Sequence, residues 1–318
     1  MKAAIILELI SYVSHTAPAY QNPDQTKADE LNLKVIQLCK NGKFKDALPV
    51  ARQVVELRTA NPDANKINVV EAHYNLASVY EGLNSLSEAL RSFQNALDIN
   101  QSARPDHLSN AQILDRIGHL YELLQDYSSA VIFRARALDF RENILGKKHP
   151  DTVRSLLNTA VLYLLLGEEK KSDTLLSKFE QTKDVLARSE YENTILQMAC
   201  RIRGMNHSRE ADRLEEIIGV MPFGSTKGNP QALNGSALKL PMPDCPDIAR
   251  GAHAEGTVSI HVTINEEGKV LFACIIGGHP LLGSAAMEAA MKAKFSPTLV
   301  SGKPVRTSGV IYYRFRYD

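Results

Sequence analysis

Residues able to do chemistry are sparse in this chain of 318 amino acids, which holds nine histidines, four cysteines and no tryptophan. Zinc-dependent hydrolysis needs two His and a Glu on one helix face (HExxH), phosphate transfer a Gly-rich loop, and serine hydrolysis a GxSxG turn. None of these patterns occurs. Three histidines fall in the last stretch: His253 in a loop, His261 on the outward side of a strand, and His279 before Pro280. No nucleophile stands beside them, so no catalytic residue, metal, cofactor or small-molecule substrate is expected and the chain reads as non-enzymatic. Cys39 and Cys200 lie on apolar helical faces and read as core. Cys245 and Cys274 share one small region and could form a disulfide in an oxidising compartment or stay as thiols.

Apolar residues make up 44% and charged residues 23%, the values of a globular protein, and the length suits about two domains. A net charge of +1 gives no bulk reason to bind nucleic acid, which requires clustered Lys and Arg. At the N-terminus Lys2 precedes the apolar AAIILELISYV, and Ala17-Pro18-Ala19 forms a small-x-small site before Tyr20. That is the layout of a signal peptide over residues 1–19, cleaved between Ala19 and Tyr20, although Glu8 opposes insertion.

One motif returns along the first two thirds of the chain. Small residues recur at Ala47, Ala89, Ala130, Ser172 and Ala211, in steps of 42, 41, 42 and 39. Twelve positions before each stand Val35, Ala77, Gly118, Ala160 and Ala199, and nine before each Leu38, Tyr80, Tyr121, Tyr163 and Ile202. The spacing predicts pairs of amphipathic helices that approach closely at the small residues, and such pairs must stack to bury their apolar faces. HYNLASVYEGLNSLSEALRSFQNAL and LGKKHPDTVRSLLNTAVLYLLLGEE resemble tetratricopeptide repeats of the longer, kinesin-light-chain-like kind, over residues 28–218. The resemblance places the first helix of each unit on the concave groove. It implies partner-binding positions at Glu71, Tyr74, Asn75, Ser78 and Glu81, then Gln112, Asp115, His119 and Glu122, with Asn158 matching the same family pattern as Asn75. Four acids among them predict an acidic groove and a basic or polar extended peptide as ligand.

Periodicity stops after Gly219, and residues 219–238, rich in Gly, Pro, Ser and Asn, read as a flexible linker. Beyond it GTVSIHVTI alternates as a half-buried strand, Asn265-Glu266-Glu267-Gly268 turns the chain, and Lys269 to Ile276 returns. LLGSAAMEAAMKAKF reads as a helix with an alanine-rich inner face and Glu288 and Lys292 spaced i, i+4 on the other. Phe295 and Pro297 end it, Gly302-Lys303-Pro304 turns, and a long aromatic strand closes the chain. This region, 239–318, resembles the TonB C-terminal domain, from LPMPDCPDIARGA through GGHPLLGSAAMEAAMKAKFSPTLVSGKPVR to the last strand. The resemblance implies two short helices against a three-stranded antiparallel sheet. It also implies a periplasmic role in which a sheet edge pairs with an extended segment of an outer-membrane receptor. By that likeness the edge is Tyr312, Tyr313, Arg314, Phe315 and Arg316.

The expected fold is therefore α+β in two domains, an all-α tetratricopeptide solenoid followed by a small α+β domain. The expected role is an exported adaptor with protein partners, one in the groove and another, an outer-membrane receptor or envelope protein, at the sheet edge. The alternative is a TonB-type energy transducer anchored by an uncleaved N-terminal segment. Ser11 and His15 reproduce the Ser-x-x-x-His spacing of the transducer's membrane helix, but Thr16 to Gln25 turns polar and the apolar length is short of a span. The oligomeric state is not legible at this level.

Overall fold

The computed structural model describes residues 23–60, 65–222, 233 and 237–316. The expected signal segment and its cleavage site, Ala19 and Tyr20, lie outside the described residues. No helix among those described is long and apolar enough to cross a membrane. The chain divides into two compact units at Thr182/Lys183.

Among the described residues of the first unit, eight helices form four antiparallel pairs: α1 (Pro23–Lys40) with α2 (Phe44–Ala60), α3 (Lys66–Gly82) with α4 (Leu86–Ala103), α5 (Ser109–Leu123) with α6 (Tyr127–Ile144), and α7 (Pro150–Leu165) with α8 (Glu169–Thr182). The small residues of the repeat lie where the helices of a pair meet: Ala47, Ala77, Ala89, Ala130, Ala160 and Ser172 have no exposed surface. Val54, Tyr74, Phe93, Leu97, Leu114 and Ile117 join Ala47, Ala77 and Ala89 in one core across the first three pairs, and Ala130, Val131 and Leu162 form a second between the third and fourth, so each unit covers the apolar face of its neighbour. Sequence chemistry also sets the ends. Asn65 caps α3 by accepting from the Ile67 N–H, and Asp126 caps α6 by accepting from the Ser129 N–H. His149 caps α7, with Pro150 at the first position, where no N–H is needed.

The turn within each pair carries one left-handed residue five positions before the small residue: Gly42, Asn84, Gln125, Gly167 and, in the second unit, Asn206. Gly and Asn tolerate positive φ at low cost, but Gln125 (φ 61°) does not.

The second unit opens with α9 (Arg188–Arg203) and α10 (Ser208–Ile217), the fifth helix pair of the repeat. The pair, within the expected repeat array to residue 218, groups with the strand-rich unit, where α9 packs on β4 and α10 on β1. The strands are β1 (Val220–Pro222), β2 (Ala237–Lys239), β3 (Gly256–Ile264), β4 (Val270–Gly277), β5 (Lys294–Phe295), β6 (Thr298–Val300) and β7 (Lys303–Phe315). The main sheet has the order β1-β7-β3-β4, with β6 also on β7. The expected antiparallel core of three strands is β4-β3-β7, with β1 added in parallel. A second, two-stranded sheet joins β2 to β5. The expected linker is therefore structured at both ends, since Val220–Pro222, Leu233 and β2 all hydrogen-bond to strands. Residues 223–232 and 234–236 lie outside the described residues.

One face of the main sheet packs on α11 (Asp247–Gly251) and α12 (Pro280–Met291). Val258, Ile260, Val262, Ile311, Tyr313 and Phe315 meet the thin inner face of α12, formed by Leu282, Ala286, Ala289 and Ala290. Gly268 takes φ 80° in the β3–β4 turn, and a Cβ there would lie 1.9 Å from the Phe295 carbonyl oxygen, so only glycine lets the two turns close. The stretch from Ala293 to Arg306 is a structural joint: it ends α12, forms β5 and β6, and enters β7.

Replacing Gln125 with Gly should raise stability by about 0.5–1 kcal/mol, because relief of left-handed strain exceeds the added chain entropy. An unchanged or lower denaturation midpoint at constant m-value would count against this reading of the turn.

Candidate functional site

Every acid predicted to charge the groove is held by the protein's own arginines. Glu71 on α3 accepts from Asn32 Nδ2 on α1 (2.8 Å) and pairs with Arg58 on α2 (3.3 Å), which also holds Asp29 (2.9 Å). Glu81, buried on α3, pairs with Arg116 on α5 and lies 3.9 Å from His119 Nε2. Burial pushes the Glu81 carboxyl above its ordinary range, against the pull of Arg116. Asp115 and Glu122 on α5 both bind Arg134 on α6 (3.1 and 2.9 Å), and Asp115 also binds Arg141, which donates to Ser155 Oγ on α7 (2.7 Å). These bonds run from helix to helix along the inner side, so the residues stack the units. The predicted acidic groove is corrected accordingly: its acids are neutralised, and a basic ligand loses its electrostatic argument.

The other predicted groove positions divide by burial. Tyr74 and Asn75 are buried, Tyr74 edge-on to Phe93 (5.1 Å) and Asn75 donating to Asn32 Oδ1 (2.8 Å). Ser78 turns its hydroxyl to the Tyr74 carbonyl of its own helix (3.0 Å). Gln112 and Asn158 are half-buried. Together Ile67, Val70, Glu71, Tyr74, Asn75, Arg104, Ser109 and Ile113 line a small cleft of about 50 Å³ between α3 and α5.

Arg104, absent from the sequence expectation, is the uncompensated charge of that cleft. Its guanidinium donates to Asn100 Oδ1 (2.8 Å) and Ser109 Oγ (3.4 Å), both neutral. No carboxylate pairs with it among the described residues. Arg104 stands 42 residues before Gly146, so the repeat period could have flagged it as a charge where the next unit has none.

In the second unit the sequence expected His261 on a solvent-facing side. It is instead buried, with Nε2 2.7 Å from Glu215 Oε1 of α10. Ser308 Oγ on β7 donates to the other oxygen of Glu215 (2.6 Å), and Arg203 of α9 reaches both Glu215 (3.3 Å) and Asp212 (2.7 Å). Burial alone would raise the Glu215 carboxyl, but His261, Arg203 and Ser308 hold it below the ordinary glutamate value. Serine, histidine and a carboxylate are the residue types of a hydrolase triad in an inert order. The carboxylate stands between the other two, so the imidazole does not touch Ser308, and all three are closed to solvent.

Cys274 of β4 is bonded to Cys200 of α9, so the expected pairing with Cys245 is corrected. Cys274 lies on the sheet face that α9 covers, whereas Cys245 is a free, half-buried thiol packed against the α12-side core. His253 and His279 are exposed, His279 capping α12 through the Leu281 N–H.

Among the described residues, backbone pairing on the second side of the closing strand runs from Arg306 to Val310, and the expected edge, Tyr312 to Arg316, lies beyond that stretch. β7 pairs with β3 from Thr307 to Phe315 on one side. β6 pairs with β7 from Lys303 to Val305, before that stretch. On the other side β7 meets β1 from Arg306 to Ser308, and the Leu233 N–H reaches the Val310 carbonyl (2.8 Å). Tyr313 and Phe315 point into the core, while Tyr312, Arg314 and Arg316 face outward. Residues returning from α10 cover the first part of this border, Arg306 to Ser308, because β1 runs parallel to β7 there, a pairing no local pattern in the sequence marks.

Residues 241–317 match the family described as Gram-negative bacterial TonB protein C-terminal, and residues 31–102, 71–143 and 109–178 match the tetratricopeptide repeat. Two solved structures from Podosopora anserina, described as putative kinesin light chain nearly identical TPR-like repeats, resemble the chain. One, a point variant, is 17% identical over 62% of this chain and 95% of its own, with a TM-score of 0.51; the other is 18% identical over the same shares, with a TM-score of 0.49. BtubC (BKLC) from P. vanneervenii is 15% identical over 63% of this chain and 83% of its own, TM-score 0.49. No curated protein matches. The chain thus carries a stretch that matches the tetratricopeptide repeat followed by one that matches the TonB C-terminal family.

Removing the Cys200–Cys274 bond, which spans 74 residues, should destabilise the second unit by about 4 kcal/mol. Equal denaturation midpoints with and without reductant would contradict this. Because the Glu215 pKa is lowered on folding, its contribution is present above about pH 4.5, the ordinary value, and is lost as pH falls below it. Glu215→Gln should cost about 3 kcal/mol at neutral pH and flatten the acid limb of the stability curve. An unchanged acid limb in that variant would contradict the assignment.

Proposed function

We propose that this chain is an exported, non-catalytic adaptor of the cell envelope that holds an extended segment of a partner protein in its repeat groove. The carrying observation is the cleft between α3 and α5: an apolar floor of Ile67, Val70 and Ile113 beside one guanidinium, Arg104, that no carboxylate among the described residues neutralises. Its uncompensated charge is positive, which favours acidic over basic segments, and opposed charges set register as well as encounter rate. The Cys200–Cys274 bond supports export, since such bonds persist in oxidising compartments.

A second reading, a TonB-type energy transducer acting on outer-membrane receptors, draws on the match of residues 241–317. It asks β7 to accept a receptor strand along Tyr312 to Arg316, beyond the stretch from Arg306 to Val310 that β1 and Leu233 line.

Selection of a displayed random peptide library on the full chain tests the groove. Enriched peptides should carry an acidic residue beside an apolar one, and Arg104→Gln should weaken them about tenfold in fluorescence anisotropy. Failure to enrich any peptide would overturn the groove reading, and enriched basic peptides would overturn the charge assignment. Intact-mass measurement of the mature chain tests export with cleavage after Ala19.

A further inference from the structure

The sheet's order leaves β4 as its terminal strand on the side away from β7. Pairing on the outer side of the β3–β4 hairpin ends at the Lys269↔Lys294 bridge, and no backbone hydrogen bond among the described residues reaches that side from Val270 to Gly277. Edge strands are normally protected by charge, proline or a covering element. The sequence of β4, VLFACIIG, contains neither charge nor proline.

Beside this border β4 and α12 enclose an apolar trough of about 400 Å³, floored by Leu271, Ala273, Met287 and Met291. Leu271, Ile275 and Met291 are 47%, 43% and 45% exposed, a concentration of large apolar surface along one border. Glu288 and Lys292 stand on the rim of the trough. They are one helical turn apart, the spacing and order in which such residues pair on an isolated helix. Neither makes an ion pair among the described residues, and both are exposed.

We propose that the β4 border and the α12 trough form a self-association surface joining two copies of this chain about a two-fold axis. Antiparallel pairing of β4 with its copy satisfies both rows of open backbone groups and continues the sheet across the axis. Both α12 helices then lie on the same face, running in opposite directions. Each Glu288 meets the copy's Lys292, and Leu271 and Met291 close over one another. A two-fold interface requires a self-complementary patch. An acid and a base on one rim meet that requirement, whereas a foreign strand of single charge would leave one of them opposed. A second copy is therefore the occupant.

Sedimentation velocity of the full chain across the micromolar range tests this. The wild type should form a concentration-dependent dimer, and Leu271→Lys should abolish it while circular dichroism stays unchanged. Glu288→Lys and Lys292→Glu should each weaken the dimer about tenfold by opposing like charges, and the double exchange should restore it. Mixing the two single variants should also restore it, since each then supplies the other's missing sign, a result that pairing within one chain cannot produce. A wild type that stays monomeric to high micromolar concentration would overturn the proposal. So would a dimer indifferent to Leu271→Lys and to both charge variants.

Discussion

A single buried carboxylate organises the second unit. Glu215 has no exposed surface, and an unpaired charge in that position would cost several kcal/mol, so its partners must all be present at once. They arrive from three separate segments: His261 from β3, Ser308 from β7 and Arg203 from α9. Satisfying the carboxylate therefore seats the α9–α10 pair on one particular face of the sheet. The Cys200–Cys274 bond ties that pair to β4 as well. With α12 on the opposite face, the sheet is covered on both sides, and a strand whose alternation reads as half-exposed becomes buried through most of its length.

The same rule of charge satisfaction shapes the first unit, with the opposite effect on ligand binding. Arg58, Arg116, Arg134 and Arg141 each bridge helices of the array to acids on its inner side. Ordering these groups against one another stiffens the stack and removes them from the pool available to a partner. What remains for recognition is the exception, Arg104, whose neighbours are amides and hydroxyls. A groove's binding charge is thus set by its pairing pattern more than by its composition.

Borders follow a comparable logic. The long aromatic strand β7 has the length and the outward arginines of an edge, and the chain returning from α10 lies alongside it in parallel only from Arg306 to Ser308. The short apolar strand β4, which looks like an interior strand by composition, ends the sheet instead. Among the described residues, β4 has an open row of backbone groups along its whole length, although its apolar composition does not suggest a border.

The repeat period, the small residues at helix crossings, the β3–β4 hairpin with its obligatory Gly268 and the thin face of α12 were all legible in the sequence. Each is a local rule acting within some forty residues, so spacing alone carries it. The partners of Glu215, the bond between Cys200 and Cys274, the neutralised groove and the parallel pairing of β1 with β7 were not. Those contacts join residues 46, 74 and 93 positions apart, where nothing in local pattern says which segments will meet. Residue types and periodicity determined the elements and the two families they resemble. Only folding, by bringing distant charges, thiols and strand edges into contact, decided which side chains are already satisfied and which are left to bind.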